Sequence, residues 1–382
     1  MAELLFDADY LERMEEEAFL QASDRMDAGC QVVGVYCAFT PKELIAAARA
    51  IPVSLCGSSE NTIADAEAHL PRNLCPLIKS SYGFALTDTC PYFHEAQFVL
   101  ADATCDGKKK MFELLGRIKP VHLLHLPQTA DTREAFQYWL QELHKVKALL
   151  EEQTGRPITA ESIREQIRLY NEFRRTAEKV FEFNRGEVPL FYGREINRIT
   201  SPAGFECNIP WRIAEMRQAM DRGRKRAENS DFRRMMARKP RILLTGCPAT
   251  NKKILNAIEE NGGVVAAMEN CGGLKALQMM VREDMDPLEA LAERYLAVAC
   301  PCMTPNTKRL DLIGRIIENY HIDGVVELIW QACHTYNIEA YQVREYVTNQ
   351  CGRPYLQIET DYSEADSPRI KLRIDAFLEL FN

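Results

Sequence analysis

Six short apolar runs in this chain are each followed by a cysteine, and this repeated pattern restricts the fold more than any other feature. The clearest run is residues 325–330, interrupted only by Glu327 and followed by Cys333 and a helical pattern. Such runs are typical of strands buried on both faces of a parallel sheet. The cysteines that follow the six runs are Cys37, Cys56, Cys105, Cys247, Cys271 and Cys333. Because open α/β sheets bind ligands at the carboxyl ends of their strands, we expect a sulfur-bound ligand there.

Strand and helix patterns alternate twice, over residues 31–126 and from residue 241 to the C-terminus, with a helical stretch between them. This order predicts the α/β class: two doubly wound parallel-sheet domains, an N-terminal helix and a helical hairpin. The predicted segments are an N-terminal helix (1–29), a first α/β domain (30–130), a hairpin with a connecting segment (131–238) and a second α/β domain (239–382).

Three stretches show weaker patterns. Residues 71–93 carry two Cys-Pro pairs without a clear period, and we predict a long structured loop there. Residues 186–211 are also predicted as loop. Residues 212–241 hold eleven Lys and Arg against four acidic residues, which favours a solvated connecting helix over a nucleic-acid face.

The charge balance excludes several classes of protein. The chain has a net charge of −8, which argues against nucleic-acid binding. No apolar run approaches the roughly 18 residues that a membrane span needs. The acidic N-terminus is the reverse of a signal peptide, so a cytoplasmic protein without membrane attachment is expected.

Thirteen cysteines are many for a reducing compartment, where structural disulfides are rare. Inert thiols, redox chemistry and metal ligation remain, and ligation is favoured. Zinc sites prefer cysteines two to four residues apart, whereas Cys300 and Cys302 have one residue between them and no CxxC pair occurs. Iron–sulfur clusters accept scattered cysteines that the fold brings together, which fits better.

Several other residues have two interpretations. The lysines of DGKKK, residues 106–110, could hold an anionic substrate or an acidic reductase, or begin a solvated helix. His334 could donate a proton or cap a helix, and Glu359 with Asp361 could serve acid–base chemistry or cap the final helix. Cys56 is favoured as an apolar filler. The cysteines without a suggestive context, treated as structural, are Cys30, Cys207 and Cys351.

Many spaced motifs together resemble the 2-hydroxyacyl-CoA dehydratase D-component family, which includes benzoyl-CoA reductase subunits. They are YCAFTPKELIAAA, PRNLCPLIKSSYGF, TCDGKKKMFELL, LTGCP, ENCGGLKA, DGVVELIWQACHTY and PYLQIETDYSEAD. The resemblance implies two flavodoxin-like or Rossmann-like domains that hold a 4Fe-4S cluster through three cysteines, here Cys75, Cys105 and Cys333. It also implies a separate ATP-hydrolysing iron–sulfur activator as the electron donor. The chain itself has no GxxxxGK[ST] loop for ATP phosphates.

The chain departs from the ordinary dehydratase pattern in its additional cysteines at Cys247, Cys271, Cys300 and Cys302. This resembles the double-cubane branch, in which six cysteines hold an 8Fe-9S cofactor. We expect Cys271, Cys300 and Cys302 as the second trio, with Cys247 and Cys37 as further candidates.

The resemblance implies an ATP-dependent, low-potential reductase of a small molecule. A homodimer is expected because twofold dimers are the commonest oligomers. One alternative is a dehydratase subunit with a single 4Fe-4S cluster, an acyl-CoA substrate and a second related subunit. Another is an electron-carrier or cluster-storage protein.

Overall fold

Two parallel sheets of four strands each form the centre of the molecule. The computed structural model describes residues 4–6, 8–201 and 204–381. In the first sheet the strands are β1 (Val32–Tyr36), β2 (Ile51–Ser54), β3 (Phe98–Asp102) and β4 (Val121–Leu124), in the order β2-β1-β3-β4. In the second they are β5 (Arg241–Gly246), β6 (Val264–Glu269), β7 (Gly324–Trp330) and β8 (Tyr355–Thr360), in the order β6-β5-β7-β8.

The two sheets have the same topology, which confirms the predicted α/β class with two doubly wound halves. In each, the first strand in sequence pairs with both the second and the third, all in parallel. Successive strands are therefore added first on one side of β1 and then on its other side, so the order of strand addition reverses between β1 and β3. The same reversal occurs between β5 and β7. Such a switch point opens a crevice at the carboxyl ends of the strands. We call the part of the molecule around the first sheet the first half and the part around the second sheet the second half.

The helices connect the strands and cover the sheets. The helices that precede β5 are α1 (Ala8–Asp27), α2 (Lys42–Ala47), α3 (Ile63–Ala66), α4 (Pro76–Thr87), α5 (Pro91–Glu95), α6 (Asp106–Leu115), α7 (Arg133–Thr154), α8 (Ala160–Glu182), α9 (Gly193–Thr200), α10 (Ile209–Ala227) and α11 (Ser230–Met236). Those that follow are α12 (Lys253–Glu260), α13 (Leu274–Leu277), α14 (Pro287–Leu296), α15 (Thr307–Asn319), α16 (His334–Glu345), a π-helical turn (Tyr346–Gln350), α17 (Ser367–Leu378) and a 3₁₀ turn (Glu379–Phe381).

The predicted N-terminal helix and helical hairpin are present as α1 and as α7 with α8. Residues 1–3 and 7 of the predicted N-terminal segment lie outside the described residues. The hairpin buries Trp139 and Leu143 of α7 against one face of the first sheet, in a core shared with Val33 and Leu100. The predicted boundaries between the four segments stay predictions.

Two loop predictions were wrong. Residues 71–93 contain α4 and α5, with Cys75 and Cys90 at their N-caps and the following prolines in the first turn. Proline is suited to that position because its missing N–H would have no partner inside the helix. The stretch 186–211 contains α9 and the start of α10, and the predicted connecting helix over 212–241 is two helices, α10 and α11. The side chain of Asn229 caps α11 by accepting hydrogen bonds from Asp231 and Phe232.

The two halves pack on each other through buried polar contacts as well as apolar ones. The Tyr295 hydroxyl on α14 donates to Glu43 Oε2 on α2 at 2.7 Å, and Asn171 Nδ2 on α8 donates to the Val281 carbonyl at 2.8 Å. In the described part of the chain, no helix combines the length and apolar character needed to cross a membrane.

Candidate metal centre

The carboxyl ends of the strands carry the predicted cysteines, and the two sheet edges face each other. Cys37 directly follows β1 and Cys247 directly follows β5, while Cys105 and Cys333 are the N-caps of α6 and α16, after β3 and β7. Cys37 has a φ of +73°, a left-handed conformation that is rare for a residue with a side chain. Backbone strain of this kind is often found at functional sites.

Three thiols from both halves form one set, which we call thiol group 1: Cys75, Cys247 and Cys333. Hydrogen bonds with Cys247 and then Cys75 lower the pKa of Cys333 to about 3, although burial opposes the change. Burial and the hydrogen bond with Cys333 raise the pKa of Cys247. A second hydrogen bond of Cys333, to Cys75, raises the pKa of Cys75, and burial adds to the change. Cys333 is therefore the preferred thiolate, and its neighbours are the proton donors.

A second set lies around the tips of β1 and β3, and we call it thiol group 2: Cys37, Cys105, Cys300 and Cys302. A hydrogen bond with Cys302 lowers the pKa of Cys300 to about 7. The hydrogen bond with Cys300, followed by burial and the charges of Cys300 and Cys37, raises the pKa of Cys302. Cys37 and Cys105 are joined by one residue, Lys108, which donates its Nζ to Cys37 Sγ at 2.5 Å and its backbone N–H to Cys105 Sγ at 3.4 Å.

The groups differ from the predicted trios. Cys333 hydrogen-bonds Cys75, with which it was predicted, but its other partner is Cys247 in place of Cys105, on which Cys333 acts only through its charge. Cys271 lies near Cys300 and Lys275, and burial raises its pKa. The ligand assignments therefore stay predictions. Cys247 belongs to thiol group 1 and Cys37 to thiol group 2, although the sequence indicated them only as further candidates.

The thiols are donors of the kind that iron–sulfur clusters use. Within residues 4–6, 8–201 and 204–381, no three His, Cys, Asp or Glu side chains are arranged to hold one ion. The thiols of group 1 instead form a chain with Cys333 in the middle. Soft thiolates are the ligands that iron–sulfur clusters use, and a cluster spreads its ligands over several irons.

Asp102 supports Cys37 and was not predicted as a site residue. Its carboxylate accepts from the Phe39 backbone N–H and from Thr40 Oγ1, each at 2.7 Å, and so holds the loop that follows Cys37. Burial raises the pKa of this carboxyl group to about 6, against the hydrogen bonds from Thr40 and Phe39. A charged residue inside the apolar run FVLAD was the available signal in the sequence.

Tyr362, also not predicted, links the two halves beside thiol group 1. Its hydroxyl donates to the Gly57 carbonyl of the first half at 3.0 Å. Its ring packs edge-on against Trp330 at the tip of β7, with centroids 4.7 Å apart. This contact closes one side of the crevice against solvent.

The two predicted acid–base residues are exposed. His334 occupies the first position of α16, and Glu359 lies in β8, where its Oε2 accepts from Asn337 Nδ2 at 3.2 Å. Neither side chain is buried among the thiols. Their catalytic role stays a prediction.

A buried network of charges lies behind the tips of the second sheet. Arg309, with no exposed surface, contacts Glu269 at 3.2 Å and Glu327 at 2.8 Å, and Lys275 contacts Glu269 at 3.0 Å. Lys275 Nζ also donates a hydrogen bond, at 2.8 Å, to the hydroxyl of Tyr336, which lies three residues after Cys333. The network fixes the elements that carry Cys271 and Cys333.

An open cavity of about 810 Å³ lies at the opposite edge of the second sheet. Asp323 and Arg353, which precede β7 and β8, line it together with Arg315, His321 and Tyr346. None of the predicted site residues borders it. Its lining mixes acidic and basic groups without a convergent set, so the thiol groups remain the candidate site.

Comparisons with known proteins agree on one family. The sequence model of "2-hydroxyglutaryl-CoA dehydratase, D-component" matches residues 37–381. The provisionally named dehydratase subunit YjiM of Escherichia coli (strain K12) is 40% identical over 97% of each chain. The (R)-phenyllactyl-CoA dehydratase beta subunit of Clostridium sporogenes is 22% identical over 92% of each chain. A benzoyl-CoA reductase subunit of Thauera aromatica is 24% identical over 41% of this chain and 40% of its own length. The chain thus belongs to the 2-hydroxyglutaryl-CoA dehydratase D-component family.

Proposed function

We propose that this protein is an iron–sulfur reductase whose two thiol groups together hold an 8Fe-9S double-cubane cofactor. Thiol group 1 would hold one cube through Cys75, Cys247 and Cys333. In thiol group 2, Cys37 and Cys105 would hold the other, with the third ligand from the Cys300–Cys302 pair and Cys271 as the alternative. The observation that carries the proposal is the repetition of cysteines at corresponding strand tips of two sheets that face each other.

The residues around the thiols suit such a cofactor. Cys75 and Cys247 are 7% and 1% exposed, and Tyr362 and Trp330 cover their side of the crevice. Burial excludes water and, with the hydrogen bonds to sulfur, tunes the reduction potential. When bound, the cofactor would supply one-electron chemistry at low potential, while the chain supplies placement and electrostatics.

The electron donor is proposed to be a separate ATP-hydrolysing iron–sulfur activator, and the acceptor a small molecule. The absence of a GxxxxGK[ST] sequence supports placing ATP hydrolysis on another protein. Relatives named as subunits, among them one of a reductase, support a system of several proteins. We further propose a cytoplasmic homodimer.

A second candidate is a 2-hydroxyacyl-CoA dehydratase subunit with a single 4Fe-4S cluster. The names of several relatives favour it, including the lactoyl-CoA dehydratase subunit beta of Anaerotignum propionicum, 21% identical over 93% of each chain. Under this proposal, thiol group 1 would hold the cluster and the cysteines of thiol group 2 would be half-buried thiols without a ligand role.

Iron and acid-labile sulfide counts after anaerobic purification separate the candidates. About eight irons per chain are expected for the double cubane and about four for the single cluster. Cys247→Ala and Cys302→Ala/Cys37→Ala should each lose about half of the iron, because each removes ligands to a different cube. Cys351→Ala, whose thiol borders the distant cavity, is the matched control and should keep its iron.

Unchanged iron in the Cys302→Ala/Cys37→Ala double variant would overturn the double-cubane assignment and leave the dehydratase candidate. Zinc without iron in the wild-type chain would overturn both. Substrate tests then follow: ATP-dependent reduction of small molecules with the activator supports the first candidate, and dehydration of a 2-hydroxyacyl-CoA supports the second.

A further inference from the structure

Four lysines of the described chain are buried, and three of them are paired with a carboxylate. Lys79 contacts Glu67 at 2.8 Å, Lys253 contacts Asp366 at 2.6 Å, and Lys275 contacts Glu269 at 3.0 Å. The fourth is Lys108, which is 9% exposed. Because a buried charge without a partner is strongly destabilising, an ammonium in this position needs a compensating negative charge.

Lys108 differs from the other three in what it contacts. Its Nζ donates to Cys37 Sγ at 2.5 Å, and among the described residues no carboxylate lies within ion-pair distance of it. Asp102 is a more distant neighbour, and its oxygens already accept from Phe39 and Thr40. Cysteine sulfurs, those of Cys37, Cys56 and Cys105, are therefore the nearby groups that can balance this charge.

The neighbouring lysines show that this placement is specific to Lys108. Lys109 and Lys110 stand on the solvent side of α6, paired with Asp106 at 2.8 Å and Glu113 at 2.6 Å. Of the three lysines in DGKKK, only Lys108 points into the protein. The prediction of a solvated helix start fits two of them and fails for the third.

The corresponding position in the second half carries no charge. Lys108 lies three residues after Cys105 at the start of α6, and Tyr336 lies three residues after Cys333 at the start of α16. The Lys108 backbone N–H donates to Cys105 Sγ at 3.4 Å, whereas the Cys333 side chain accepts no N-cap hydrogen bond. Thus the position after Cys105 places a fixed cation beside thiol group 2, whereas the equivalent position after Cys333 carries a neutral phenol that lies toward Cys271 and Cys300.

We propose that Lys108 is a built-in counter-ion for thiol group 2 and makes that side of the bound cofactor the easier one to reduce. The inference rests on the proposed function. In this step a low-potential donor is oxidised by one electron. The part of the cofactor that thiol group 2 holds is reduced by that electron and takes up no proton. The ammonium already in place offsets the added negative charge, and low dielectric makes this offset larger than it would be in water.

The test is a redox titration of the anaerobically purified holoprotein, followed by electron paramagnetic resonance with mediator dyes and titanium(III) as the reductant. In Lys108→Met the ratio of reduced to oxidised cofactor at a fixed potential should fall at least tenfold. For a one-electron couple this is a shift of about 59 mV to more negative potential. Lys109→Met, which removes an exposed cation one residue away, should change the ratio less than twofold, and Lys108→Arg should stay near the wild type.

Iron content separates the failure of this inference from failure of the proposed function. An unshifted midpoint in Lys108→Met with wild-type iron content overturns the inference alone. A wild-type chain that binds no iron overturns the proposed function and the inference together. If Lys108→Met does not fold, Lys108→Gln keeps a hydrogen-bond donor near Cys37 without the charge, and the same tenfold fall is expected.

Discussion

In the first half of the molecule β3 leads through Cys105 into α6, and in the second half β7 leads through Cys333 into α16. The two tips share their strand order and their N-cap cysteine. They differ in the side chain three residues later, which is Lys108 in one and Tyr336 in the other. The comparison teaches that a repeated architecture can place equivalent cysteines while each half keeps its own electrostatic surroundings.

The support behind the tips also differs between the halves. Behind the second sheet, Arg309 joins Glu269 of β6, Glu327 of β7 and Glu339 of α16. At the first sheet, Asp102 of β3 holds the loop after β1 through Phe39 and Thr40. One tip depends on a charge network and the other on a single carboxyl group, and variants of these residues test that difference.

Arg309→Met should produce the largest loss of stability. It leaves Glu269 and Glu327 buried with fewer positive partners, and breaking a buried ion pair on one side costs about 3–5 kcal/mol. Denaturant unfolding, read as the free energy of unfolding, measures the effect. The control is Arg315→Met on the same helix, where the arginine is exposed and a change within about 0.5 kcal/mol is expected. A loss below about 1 kcal/mol in Arg309→Met would mean that the network does not support the second tip.

Asp102 should give the first half a pH dependence that Asp102→Asn lacks. Its pKa is raised from 3.8 to about 6 in the folded chain, chiefly by burial. As pH rises from about 4 to about 6, the unfolded chain releases this proton while the folded chain keeps it, so the stability of the wild type falls. The fall relative to Asp102→Asn should be up to about 3 kcal/mol. Parallel curves of unfolding free energy against pH for the two chains would contradict this.

Tyr336→Phe should have the smallest effect. It removes one hydrogen bond to Lys275, whose ion pair with Glu269 stays in place. The expected loss is about 1–2 kcal/mol, measured by the same unfolding experiment. Tyr341→Phe, where the ring is 62% exposed on the same helix, is the matched control. Because Tyr336 carries no charge, the redox midpoint should move much less than in Lys108→Met, and an equal shift would remove the contrast between the tips.

The fold could be predicted where a pattern depends on local sequence. The apolar runs gave the strands, and the spacing of Trp139, Leu143, Val146 and Leu150 gave α7. The helices α4 and α5 were missed because Cys75-Pro76 and Cys90-Pro91 were interpreted as loop signals, although proline is also suited to a first helical turn.

The candidate site could be predicted only in part, for a different reason. The position of a cysteine after a strand is local, so the tip cysteines were found in the sequence. The neighbours of each thiol depend on how the two halves dock. Cys75 and Cys333 were therefore grouped only through the family resemblance, and the contact of Cys333 with Cys247 was not predicted. The three adjacent lysines were interpreted together, although the helical spacing of Met111, Phe112 and Leu115 places Lys108 on the buried face of α6.

Thiol group 1 takes Cys75 from the first half and Cys247 and Cys333 from the second. This sharing has a consequence for biogenesis. If thiol group 1 holds the proposed cube, the ribosome must complete the chain well past Cys333, and the two halves must dock, before the full ligand set exists. A fragment of either half, produced alone, would be a poor recipient for an assembled cluster. Delivery of the cofactor would therefore be a late, post-translational event that only a completely folded chain can accept.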